Sequence, residues 1–209
     1  FLSGVQGYTI CEGFAPAWNL DILACGVVLS AVIWILVWGG TKRVAKVAGY
    51  LVPIMCVLFI LGAILIVLTN ISSLGSAIAL IVRSAFTPTA AVGGFTGVVV
   101  KTAITQGISR AVFSNEAGQG SSTMIHSQAN VDHPFKQGMW GYFEVFVDTI
   151  LVCFFTGLAI VISGAWSSGA QGATLTISAF STTFGPWAGK VVSVFVLLFG
   201  LTTIPGWFT

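Results

Sequence analysis

Residues 85–97 read AFTPTAAVGGFTG. They lie near the middle of 77–113, a long and otherwise largely apolar stretch. At 1.5 Å per residue, that stretch is too long for one ordinary crossing of a ~30 Å hydrocarbon core. It is too short for two full spans with a loop between them. Pro88 lacks a backbone donor, and Gly93, Gly94 and Gly97 loosen the chain beyond it. A helix broken there would expose free carbonyls and amides at membrane depth, where such breaks persist only if they line a site. The plainer alternative is an interfacial helix, a turn and a second helix. Lys101, Arg110 and Lys136 favour the break, because they hold the next loop inside. One crossing satisfies that sidedness and two do not. The expected fold class is all-α and polytopic in the membrane, with a discontinuous helix.

The flanking sequence agrees. Residues 107–120, GISRAVFSNEAGQG, form a polar, glycine-rich run around Glu116. Lipid cannot hydrogen-bond an irregular backbone, so such a run lies at the water interface or lines a protein cavity. The 209 residues are 56% hydrophobic and only 7% charged, with mean hydropathy +0.99. Soluble domains carry about a quarter charged residues, so the main solvent here is lipid. The net charge of +2 gives no reason to expect a nucleic-acid partner. Phe1 opens the chain and Thr209 falls inside an apolar run, so the chain reads as an internal piece of a longer membrane protein. Cys11, Cys25, Cys56 and Cys153 lack metal or disulfide spacing. His126 and His133 lack the HExxH pattern. No cofactor, no metal other than Na⁺ and no enzymatic activity are expected.

Five spans emerge. Residues 1–10 read as the end of a helix and 11–21 as a polar connection. Residues 22–38 are uncharged and end at Trp34 and Trp38. Lys42, Arg43 and Lys46 mark a cytoplasmic loop. The next span is expected over 51–69, with Pro53 in its first turn, and 70–73 is a polar turn outside. After the 77–113 helix come a loop over 114–138, a span over 139–163 and an outside loop over 164–186. The last span starts near Trp187.

Several polar residues carry two readings. Glu144 and Asp148, four apart, share a helix face. Glu144 suits the first turns near cytoplasmic water. Asp148, one turn deeper, is open between a packing or gate role and a proton or cation role. Glu116 fits a gate or an ordinary structural pair with Arg110. Thr202 and Thr203 offer hydroxyls to Na⁺ or bond back to their own helix.

Several runs together resemble one family. They are Gly39 to Val47, Leu51-Val52-Pro53, Ser84 to Pro88 and Ala90 to Phe95. The series continues with SNEAGQGS at 114–121, His133-Pro134, Gln137-Gly138 and Val145 to Thr149. In this order they resemble the alanine or glycine:cation (sodium:alanine) symporters over nearly the whole chain. The resemblance implies a leucine-transporter-type inverted-repeat bundle. Residues 1–209 would then be one transmembrane domain fragment, from the end of core helix three to core helix eight, without the helices before and after. It implies Na⁺-coupled inward symport of alanine or glycine across the cell membrane. The alternative is a related permease coupled to H⁺ or carrying another small amino acid. By motif, Gln6, Phe86, Ala90, Val92, Gly93, Gly94, Thr203 and Trp207 would bind substrate and Thr202 the cation. Arg110, Glu116 and Asp148 would serve as gate or structural charges. Pro205 departs from the family pattern.

Overall fold

All regular structure among the described residues is helical. The computed structural model describes residues 2–86, 96–116, 118, 120–127 and 129–206. The helices are α1 (Leu2–Ala17), α2 (Ile22–Trp38), α3 (Thr41–Thr69), α4 (Leu74–Phe86) and α5 (Thr96–Ser114). Then come α6 (Ser121–Ser127), α7 (Pro134–Phe146), α8 (Phe154–Ile162), α9 (Gly172–Phe184) and α10 (Pro186–Gly206). A π-helical turn, Val147–Cys153, joins α7 to α8. Among the described residues, three helical stretches are long and apolar enough to cross a membrane: Arg43–Thr69, Pro134–Ile162 and Pro186–Pro205. The chain divides into two compact units, 1–69 with 159–209, and 70–158.

In the first unit, α1 runs seven residues beyond the expected helix end, through Glu12 and Pro16. Glu12 is accommodated because its carboxylate lies against Gly172, the first residue of α9; a Cβ there would stand 3.2 Å from Glu12 Oε2. That is the amide end of a helix, which favours negative charge. Asn19 ends α1 in the left-handed region, φ 53°. The Leu20 amide donates to Ala15 O at 2.9 Å and the Asn19 amide to Pro16 O at 3.3 Å. This pair of bonds is a Schellman closure. Asp21 then caps α2, accepting from the Leu23 amide at 2.9 Å.

The expected span over 51–69 begins ten residues earlier, at Thr41, directly after a turn in which Gly40 has φ 77°. Pro53 therefore lies inside α3 rather than in its first turn. The cationic residues form the water-side turns of the same helix instead of a loop. The expected outside loop over 164–186 contains a helix, α9. Glycine, serine and threonine are poor helix formers, and packing overrides them here. Ala179 and Phe180 are buried, and the Phe180 ring packs against Phe59, centroids 5.7 Å apart and planes tilted by 31°. Thr182 and Thr183 turn their hydroxyls back to Ser178 O and Ala179 O.

Ile10, Cys11, Leu29 and Ile204 form a buried cluster in this unit, with Cys25, Ile33, Leu197 and Leu201 around them. In lipid there is no hydrophobic gain from joining two apolar helices, so close packing decides, and small residues permit it. Gly200 of α10 is such a point. A Cβ there would stand 2.5 Å from Ile10 Cγ1 and nearer still to Cδ1.

The second unit holds α4, α5, α6, α7 and the π turn. The expected loop over 114–138 contains α6 and the first turn of α7, whose start moves from 139 to Pro134. His133 caps α7, its Nδ1 accepting from the Phe135 amide at 3.1 Å, and Pro134 sits where a missing amide costs nothing. Helical residues are described up to Phe86 and again from Thr96. The expected break at 88–97 falls mostly on residues 87–95, outside those described.

Candidate functional site

Antiparallel packing of α1 and α10 sets the polar features of the first unit in register. Trp18 Nε1 donates to Ser193 Oγ at 3.1 Å, Gly13 approaches Val196, and Ile10 meets Gly200. Gln6 stands one turn before Ile10, and Thr203 and Ile204 one turn after Gly200. The register therefore puts Gln6 at the level of Thr203. Gln6 Oε1 is buried and has no hydrogen-bond partner. A buried acceptor left unmade costs about 1–3 kcal/mol. Such an orphan needs a reason, and a ligand is one.

Thr202 Oγ1 donates to Phe199 O at 2.8 Å and to Leu198 O at 3.3 Å, and Thr203 Oγ1 donates to Phe199 O at 2.8 Å. Both hydroxyl protons are thus committed to α10 itself. Back-bonding leaves the oxygen lone pairs facing outward, able to meet an ammonium or a cation. Pro205 is fully buried and α10 runs through it to Gly206. A separate groove of about 780 Å³ lies between α1 and α2, lined by Gly4, Gly7, Gly26, Ser30 and apolar neighbours. Gln6 does not line it, so that groove is not the polar site.

In the second unit the end of α5 is tied to the π turn. Ser114 Oγ donates to Asp148 Oδ2 at 2.6 Å. Asn115 Nδ2 donates to Thr149 Oγ1 at 3.1 Å, and Thr149 Oγ1 lies 3.2 Å from Asn115 Oδ1. The wider turn is visible in the Phe154 amide, which donates to Thr149 O, five residues back. Because α7 starts at Pro134, Asp148 sits at the midpoint of the 29-residue helix Pro134–Ile162, rather than near its start.

Glu144 is held by a histidine. His126 Nε2 meets Glu144 Oε2 at 3.0 Å, and Gln137 Nε2 lies 2.6 Å from His126 Nδ1. With the amide donating, the neutral imidazole carries its proton on Nε2 and gives it to Glu144. The two contacts fasten α6 to α7. Arg110 is exposed on α5 and forms no ion pair among the described residues. Glu116 comes just after α5 with φ 50°, a conformation uncommon outside glycine. Phe86 is the last residue of α4. Ala90, Val92, Gly93, Gly94 and Trp207 lie outside the described residues.

A sequence model of the sodium:alanine symporter family matches residues 1–209. The chain belongs to that family. It is similar to an uncharacterized transporter of Haemophilus influenzae, 37% identical over 97% of this chain and 45% of the relative. A protein named probable sodium/glutamine symporter GlnT of Bacillus subtilis is 37% identical over 98% of this chain and 42% of its own length. The sodium/alanine symporter AgcS of Methanococcus maripaludis is 35% identical over 97% of this chain and 45% of its own length. The chain spans about half the length of the curated relatives it matches. Membership of this symporter family, with three membrane-length apolar helices, makes it an integral protein of the cell membrane.

Sequence reasoning passed over Ser114 as the partner of Asp148, and the pairing of Asn115 with Thr149 beside it. The signal was present in the polar run after α5, but no spacing rule links residues 34 apart. The pairing of His126 with Glu144 was likewise hidden by a separation of 18.

Proposed function

We propose that the full-length protein containing this chain is a secondary active transporter that carries a small neutral amino acid, alanine or glycine, inward with Na⁺. The bundle is of the leucine-transporter inverted-repeat type, with α1 as core helix three and α10 as core helix eight. The observation that carries this reading is the orphaned Gln6 Oε1, level with Thr203. An amino-acid ammonium is a donor that such a carbonyl lacks. The family motif adds Phe86, Ala90, Val92, Gly93, Gly94 and Trp207 as substrate-binding residues, with the bulk of the indole as the limit on side-chain volume. Each excluded methylene is worth only ~1–3 kcal/mol by lost contact, so rejection of larger substrates rests on steric clash. Thr202 contributes a Na⁺ ligand. The relatives named above include an alanine symporter and a probable glutamine symporter. The choice of the smaller substrate rests on Trp207.

Gln6→Leu tests the reading in the full-length protein. A ligand-binding role predicts weaker alanine or glycine affinity together with unchanged or higher thermal stability, since the unmet acceptor is gone. Unchanged substrate affinity would remove Gln6 from the site.

A further inference from the structure

The π turn interrupts the middle of a membrane-length helix, and Asp148 lies in its first residues. π turns inside α-helices occur frequently at functional sites. An ionised carboxylate at that depth is costly unless it is paired or used. Asp148 has no cationic partner among the described residues. Its surroundings are neutral oxygens instead. Ser114 Oγ lies 2.6 Å from Oδ2, while the Asn115 amide and Thr149 hydroxyl meet each other next to it in sequence on both helices. Among the described residues its other oxygen, Oδ1, meets only the Cys153 thiol, at 4.0 Å. The turn also shifts backbone carbonyls away from their usual partners, as the bond from the Phe154 amide to Thr149 O shows.

We infer that Ser114, Asn115, Asp148 and Thr149 form a binding site for a hard monovalent cation, made of different residues from the Thr202 site. Two carboxylate oxygens, two hydroxyls and an amide oxygen supply the ligand type that such ions require. Irregular backbone at membrane depth supplies cation ligands in transporters in the same way. The cation neutralises Asp148, and its ligands come from both the end of α5 and the π turn. Occupancy therefore adds to the Ser114–Asp148 and Asn115–Thr149 bonds that tie the end of α5 to the π turn. The inference rests on the reading of the protein as a Na⁺-coupled carrier.

The test is radioactive Na⁺ binding by the purified full-length protein, with Na⁺-dependent uptake measured in parallel. Asp148→Asn should raise the Na⁺ half-saturation about tenfold or more, because a charged ligand is lost, and lower the number of ions bound by one. Ser114→Ala and Thr149→Val should each raise it a few-fold, and they carry the test if Asp148→Asn does not fold. Thr202→Ala should act on the remaining ion. Wild-type protein with no Na⁺ binding and no Na⁺-dependent uptake would refute the proposed function itself. Normal Na⁺ binding by the wild type with unchanged affinity and stoichiometry in the Asp148, Ser114 and Thr149 variants would overturn the site alone. A change confined to the pH dependence of uptake would do the same, by showing that Asp148 handles a proton.

Discussion

Replacing Gly200 by alanine reads the α1–α10 contact directly. A Cβ on Gly200 would enter the space of Ile10, 2.5 Å from Cγ1 and closer to Cδ1. Ile10 is 3% exposed, so its side chain has little room to retreat. Without that contact, alanine inside a helix would stabilise by about 1 kcal/mol over glycine. With it, overpacking costs about 1–3 kcal/mol. The sign of the change therefore reports whether the two helices touch, and the net expectation is a loss of up to about 2 kcal/mol. Ile10→Ala removes both offending carbons and leaves only Cβ, at 3.8 Å from the new methyl. Alone it should cost about 2–5 kcal/mol through the cavity it opens. Combined with Gly200→Ala it should cost clearly less than the sum, with a coupling of about 1 kcal/mol or more. Thermal unfolding of the purified full-length protein, followed by tryptophan fluorescence, measures all three variants. Strict additivity, or a rise in melting temperature for Gly200→Ala alone, would refute the packing described for α1 and α10.

Other expectations concern single contacts. Asp21→Ala removes the cap of α2 and should cost about 1 kcal/mol, whereas Asn19→Val forces a β-branched residue into φ 53° and should cost about 1–2 kcal/mol. Both are read by melting temperature. Trp18→Phe loses the bond to buried Ser193 and weakens the cation–π contact of Lys190, whose Nζ lies 5.3 Å from the ring centre. It should cost about 1 kcal/mol, and less in a Ser193→Ala background. Glu144→Ala removes one of the two contacts of His126 and should speed amide hydrogen exchange across 121–127, with exchange in α10 unchanged.

Much of the architecture was legible in the sequence where one local cue sufficed. The uncharged run 22–38 is α2 to the residue, and the polar turn after Thr69 is where it was expected. The errors lie where distant contacts outweigh local propensity. Pro53 suggested a helix start, yet α3 carries it inside, because an apolar run on both sides keeps the helix going. Glu12 suggested a loop, yet the amide end of α9 receives it. The glycine, serine and threonine of 172–184 suggested an outside loop, yet Phe180 fastens them to Phe59. Of the polar residues, Thr202 and Thr203 bond back to α10, as composition of an apolar span favours. Gln6 was indicated only by resemblance, and its orphaned oxygen is visible only once α1 is packed. Asp148 was identified as unusual from depth alone, but its oxygen neighbours depend on how α5 meets the π turn.

Under the proposed function, amino-acid movement draws on the Na⁺ gradient. Full-length protein reconstituted in liposomes, loaded without Na⁺ and diluted into Na⁺, should accumulate radioactive alanine or glycine above its external concentration and lose that accumulation when a Na⁺ ionophore is added. Equal accumulation when Na⁺ is replaced by choline on both sides would contradict the account.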